Sequence, residues 1–343
     1  KANLVEKVKY LQRLDEHATV QPTNIADVNC TFPELKAFVD YFKGKEGIKD
    51  TISAVKTEEQ KLDYAVADYM KNHQIEGQTE AVIRGIVAYL EEQGSETVTS
   101  DDVKNHLANK GIIANKDALT LDYQNLIDLK DCLHDQDKDL NVNIVQAVGE
   151  RIYDEVHEYY VPTDPETEAY QVGNLTEKQA YDLAMYFKGL ENAIEVSSDD
   201  LKKDGKIPAE ANVPYASLNA FVKYLNEEKK ENIPVTIKMT TDERIYDEID
   251  KYRKQKYPET EDYKKIGNFT DAEAYELVKY LKDLGVAEVT SEGVLSYLKG
   301  TNPPKISAEA TITFEQLNDF VAFLKSDEVK EISGITVKRT TEE

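Results

Sequence analysis

Apolar residues recur along this chain at helical spacing, and whole blocks of the pattern return. "ERIYDEVHEYY" (150–160) is followed 93 residues later by "ERIYDEIDKYR" (243–253), and a weaker copy, "QKLDYAVADYM" (60–70), stands 90 residues before the first. Each carries apolar residues at i, i+4 and i+7: Leu62/Val66/Tyr69, Ile152/Val156/Tyr159 and Ile245/Ile249/Tyr252. That spacing makes one face of a helix. A second block returns four times as "VEKVKYLQRL" (5–14), "IRGIVAYLEEQ" (83–93), "YDLAMYFKGL" (181–190) and "YELVKYLKDL" (275–284). A third returns as "TFPELKAFVDYF" (31–42), "LDYQNLIDLKDCL" (121–133), "PYASLNAFVKYL" (214–225) and "TFEQLNDFVAFL" (313–324). Phe32, Tyr123, Tyr215 and Phe314 align, and the longest step spans "KGTNPPKISAEA", a Pro-containing surface loop.

Self-similarity at a fixed period predicts tandem units of about 92 residues, mainly α, each with about four short helices. The helix starts are marked by S/T-x-x-E/Q: Thr57 with Gln60, Thr176 with Gln179, Thr240 with Glu243, Thr270 with Glu273, Thr31 with Glu34, and Thr313 with Gln316. The Thr oxygen accepts an orphan amide and the Glu or Gln reaches back. β-prone stretches beside these starts ("ETVTSDD", "IEVSSDD", "AEVTSEG", "ATITFEQ", "PVTIKMT") predict short bridging strands within a unit. The layout is a partial unit at 1–56, then units at 57–147, 148–240 and 241–343. A chain that opens mid-unit without Met leads us to expect a processed product or part of a longer protein, and a processed product would favour a secretory compartment. A capping partial repeat is the alternative.

Composition narrows the function classes. Lys+Arg number 42 against 66 Asp+Glu, a net charge of −24, which repels nucleic acid and anionic lipid and favours cations and basic partners. No apolar run reaches membrane-spanning length. Sequons at "NCT" (29), "NLT" (174) and "NFT" (268) would suit a secreted protein, although the Thr of the last two doubles as a predicted helix cap.

One stretch points to a metal. In "LHDQDKDLNVNIVQ" (133–146), Asp135, Asp137 and Asp139 place carboxylates on alternate residues, with Asn141 two further on and an apolar Val142 after it. This stretch resembles an EF-hand calcium loop, matching its positions one, three, five, seven and eight. The resemblance implies Asp135, Asp137, Asp139 and Asn141 as calcium ligands, and calcium is the one cofactor candidate. Leu140 stands where that family has Gly, and Gln146 replaces its bidentate Glu, so any affinity would be weak. The sister segments do not share the ligands: Gly44, Glu227 and Ser326 align with Asp135, and Glu46, Lys229 and Glu328 with Asp137. They share a helix end, a polar span and a β-prone segment, so the first expectation is a connector between units.

Cys30 and Cys132 align with apolar residues of the other units and are expected to be buried, inert thiols. The five histidines show no zinc spacing, and no nucleophile elbow, phosphate loop or dinucleotide fingerprint occurs. The 21 tyrosines fall mostly on helix faces and are expected at the core rim, any exposed ones serving protein contacts. The expectation is a non-catalytic structural or protein-interaction protein whose partners are other proteins or copies of itself. The alternative is a calcium-binding or calcium-responsive acidic protein of EF-hand type.

Overall fold

A computed structural model describes residues 2–22, 30–161, 170–254 and 265–340. The chain is mainly helical and divides into two compact regions, Lys1–Asp154 and Glu155–Glu343, the division falling inside a helix. No described helix is long and apolar enough to cross a membrane.

In the first region the order is α1 (Ala2–Gln12), β1 (Thr19–Val20), α2 (Phe32–Phe42), β2 (Ser53–Ala54), α3 (Glu58–Asn72), α4 (Glu80–Gln93), β3 (Thr97–Val98), α5 (Ser100–Asn109), α6 (Tyr123–His134) and β4 (Asn143–Ile144). Helix α7 (Val148–Tyr160) carries the boundary. The second region continues with α8 (Glu177–Lys188), β5 (Ile194–Val196), α9 (Ser198–Lys203), α10 (Tyr215–Lys223), β6 (Val235–Ile237), α11 (Thr241–Lys254), α12 (Asp271–Leu284), β7 (Ala287–Val289), α13 (Ser291–Gly300), α14 (Phe314–Leu324) and β8 (Ile335–Val337).

Among the described residues the strands form four parallel pairs: β1 with β2, β3 with β4, β5 with β6 and β7 with β8. A parallel pair needs a crossover, and in the last three pairs two helices supply it. So short a ribbon is marginal by itself, and these are held by their apolar residues. Val98 opposite Ile144, Val196 opposite Ile237 and Val289 opposite Val337 are all buried. The first region has two cores, one around Leu11, Val39 and Ile52 and one around Ile83, Leu107 and Leu129. The helices of 241–337 close a third around Ile249, Leu281 and Phe320.

All six expected Thr positions start helices, with the backbone amide of the Thr donating to the Glu or Gln three residues on. Each such cap stabilises its helix by about 1 kcal/mol. Thr99 with Asp102 and Ser197 with Asp200 do the same with Asp as the returning acid, which an E/Q template misses. Three expectations are corrected. "ATITFEQ" forms no strand, because the backbone of Thr311 is occupied by Asn268, whose Oδ1 accepts the Thr311 amide and whose own amide donates to the Thr311 carbonyl. The cysteines are half-buried rather than buried. Tyr69, Tyr159 and Tyr252 are not rim residues but core ones, since the i+7 position of their helices points straight at the neighbouring helices.

Candidate functional site at the helix–strand joints

Helix α6 ends in the stretch that the sequence singles out. The Asp135 amide donates to the Asp131 carbonyl, and the Asp137 amide to that of His134. Asp137 takes a left-handed conformation with φ +58°, and the Lys138 amide then turns back to the Leu133 carbonyl. This is the helix-terminating geometry that satisfies the orphan carbonyls of the last turn. Leu140, at the position where a calcium loop would have Gly, is buried, and so is Val142. The chain is thus pulled down onto the core at the point where a calcium loop would turn sharply.

The predicted ligands are all exposed, and one of their carboxylates is already engaged. Asp139 accepts from His134 Nδ1 at 2.5 Å, and this contact holds the His134 imidazole above its ordinary pKa. The Asp137 carbonyl accepts from Lys61 Nζ at 2.9 Å. Asp135 serves as the C-cap of α6, and Asn141 faces solvent. Among the described residues no three His, Cys, Asp or Glu side chains are grouped to hold a metal ion, so the structure does not gather Asp135, Asp137, Asp139 and Asn141 into a ligand set.

What the joint does gather is an ion pair. Lys138, next after the left-handed residue, places Nζ 2.5 Å from Glu91 Oε1 near the end of α4. At the joint after α10, Lys230 is left-handed with φ +62° and the next residue, Glu231, returns its amide to Leu225. Its carboxylate lies 2.8 Å from Lys188 Nζ, at the end of α8. After α14, Lys330 has φ +53°, and Glu331 returns its amide to Leu324. There Oε2 meets Lys282 Nζ of α12 at 2.5 Å, and Oε1 meets Arg244 Nε of α11 at 2.6 Å. The joint after α2 keeps the left-handed residue at Glu46, φ +49°, whose carbonyl accepts from Gln12 of α1 at 2.5 Å. A left-handed residue therefore recurs at all four joints, with an ion pair bridging three of them and a neutral Gln the fourth.

A second recurrent contact was missed in the sequence. Gly173 and Gly267 are left-handed, and a Cβ on either would collide with the carbonyl oxygen of Asn212 or Thr311. Each is followed by an Asn that clasps this passing chain. Asn174 Oδ1 accepts the Asn212 amide at 2.7 Å, and Asn268 Oδ1 the Thr311 amide at 2.7 Å, its Nδ2 donating to the Glu309 carbonyl. Next come a buried Leu175 or Phe269 and the capping Thr176 or Thr270. The two later sequons are thus Gly-Asn-apolar-Thr clasps. Asn29 of the first sequon lies outside the described residues. The recurring "GN-T" could have given the clasp away.

Helices α7 and α11 also reach back to earlier elements. Glu150 Oε1 accepts the Ser100 hydroxyl at 2.6 Å and the Tyr123 amide at 3.0 Å, and Glu243 Oε1 accepts the Tyr215 amide at 2.6 Å. The Cys132 thiol is pushed up to about 11 by burial, then by nearby carboxylates, so it stays protonated at neutral pH. Tyr41, Tyr153, Tyr170, Tyr246 and Tyr297 remain exposed. Comparison of the chain with family models, with curated proteins and with solved structures gave no match.

Proposed function

We propose that this protein is a non-catalytic, acidic tandem array of helical units of about 92 residues, laid out as 1–56, 57–147, 148–240 and 241–343, that acts by contacting other proteins or copies of itself. The observation that supports the reading is the recurrent joint: a left-handed residue after α2, α6, α10 and α14, tied to an earlier helix by an ion pair at the last three and by Gln12 at the first. Many polar side chains are engaged in these joints, in caps and in clasps. What faces outward is a carboxylate-rich surface studded with tyrosines, which suits basic polypeptide partners and repels nucleic acid. Calcium at 135–146 has less behind it, since binding would have to draw Asp139 from His134.

Sedimentation velocity of the purified chain, alone and with a lysine-rich polypeptide over a range of salt, tests the reading. Self-association or a salt-sensitive complex is the expected result. Turnover of a substrate, abolished by one substitution in one pocket, would overturn it.

A further inference from the structure

In two segments the ring at the end of the last helix has a characteristic neighbour. Lys45 Nζ sits 4.2 Å from the centroid of Tyr41, and Lys229 Nζ sits 5.3 Å from that of Tyr224 while lying 2.6 Å from the Glu158 carboxylate of α7. Both lysines directly precede the left-handed residue of their joint, Glu46 and Lys230. In these two segments the chain places its own ammonium over its own ring, the second time against an acid of the segment's first helix as well.

In the 241–343 segment the ring is kept, but the lysine ahead of the left-handed residue is gone. Phe323 aligns with Tyr41 and Tyr224, and Val329 precedes the left-handed Lys330 where those two segments have Lys. The space is open: a cavity of about 420 Å³ lined by Phe323, Glu328, Val329 and the α11 residues Glu248, Asp250, Lys251 and Lys254, three carboxylates against two lysines that are paired with acids of their own helix. The Glu248 side chain is nine-tenths buried. Its Oε1 accepts from Lys251 Nζ at 2.9 Å, while Oε2 is closed to solvent and has no hydrogen-bond partner. A carboxylate oxygen sheltered in this way is an acceptor in want of a donor.

We propose that this pocket takes a lysine side chain from a partner polypeptide, its ammonium seated between the Phe323 ring and the Glu248 and Glu328 carboxylates. The alkyl stem of a lysine packs on Val329 and Phe323, and the ring face and the sheltered carboxylate both favour the cation. A net charge of −24 draws basic partners to the surface. The inference rests on the interaction reading for its occupant, because the pocket supplies recognition without any group placed for chemistry.

Nα-acetyl-lysine methylamide, titrated into the isotope-labelled full chain and followed by amide NMR, is the probe, with the norleucine analogue as the uncharged control. Shifts confined to residues around Phe323, Val329 and Glu248, absent with norleucine up to about 10 mM, are expected. Val329→Lys should fill the pocket from within, as Lys229 does, abolishing the shifts and raising Tm. Glu248→Gln should fold as the parent does and weaken binding by about fivefold or more. Equal response to norleucine, no localised shift, or undiminished binding by Glu248→Gln overturns the pocket. If the pocket fails while a salt-sensitive complex with the lysine-rich polypeptide persists, the interaction reading stands. If the probe binds while the chain proves to be an enzyme, that reading falls and the pocket stands.

Discussion

Lys138 and Glu91 form the same bridge as Glu231 and Lys188 with the charges exchanged, 2.5 Å apart in one and 2.8 Å in the other. The bridge ties the end of a segment's second helix to the turn that closes its last one. Glu91→Lys or Lys138→Glu alone places like charges at the joint and should lower stability by about 1–2 kcal/mol, while the double exchange restores most of it. Urea unfolding of the four proteins gives the coupling directly. A double exchange no better than the worse single would remove the joint from the account.

Glu331 is the more demanding case, because its side chain is almost fully enclosed between Arg244 and Lys282. Removing one partner of an enclosed pair typically costs about 3–5 kcal/mol. Arg244 and Lys282 can each reach water, so Glu331→Gln should cost about 2–3 kcal/mol, read as a shift of the denaturation midpoint at unchanged slope.

Asp137 separates the connector from the calcium loop. As a left-handed turn residue it is better served by Gly, so Asp137→Gly should leave Tm unchanged or slightly raised, with Asp137→Val falling by several degrees. Millimolar calcium should leave both the parent and Asp137→Gly melts where they were. A calcium-induced rise in Tm that Asp137→Gly abolishes restores the metal reading.

The clasps predict both strain and shielding. Gly173→Ala and Gly267→Ala force a Cβ against a backbone carbonyl at positive φ and should each cost about 2–4 kcal/mol by chemical denaturation. Gly205→Ala, also at positive φ but with open space around the Cβ, should cost only about 1 kcal/mol. Expressed in a glycosylating host, Asn268 should be modified less than Asn174 by mass spectrometry, because its Nδ2 donates to the Glu309 carbonyl while its Oδ1 holds the Thr311 amide.

Two exposed titrations carry opposite signs. Asp139 raises the His134 pKa, so the pair stabilises the fold below the ordinary imidazole value of about 6.5 and loses that effect as pH rises through the elevated one. Asp200 is lowered to about 2, first by the backbone and hydroxyl of Ser197 and then by Lys238. Its contribution is present above about 3.8 and is lost on acidification towards 2. Both sites face water, so the stability changes are small and NMR titration is the better readout. Asp139→Asn should return His134, and Ser197→Ala should move Asp200 upward.

Helix positions, caps and the strands "ETVTS", "IEVSS" and "AEVTS" were legible because each depends on a few neighbouring residues. Thr57 and Thr270 announce a helix start wherever they fold. The joints were only half legible. Aligning 135–146 with its sisters identified a connector, but Lys138 and Glu91 are 47 residues apart. Their counterparts also have inverted sign, so a search for like residues at like positions discards the correspondence. "ATITFEQ" misled because β propensity does not register that a side chain, Asn268, can stand in for a strand partner. Glu248 gave no signal, since a buried acid on a helix of alternating charges looks like any other.

The inverted polarity of the first bridge has a bearing on how the chain finds its fold. Similar helices along one chain invite a joint to dock on the helix that partners another joint. If the joint after α6 met α8 instead of α4, Lys138 would face Lys188, and if the joint after α10 met α4, Glu231 would face Glu91. Both errors bring like charges together in a place that burial makes unforgiving. The joints after α10 and α14 share one polarity and have no such guard, so misdocked species formed during refolding should exchange those two.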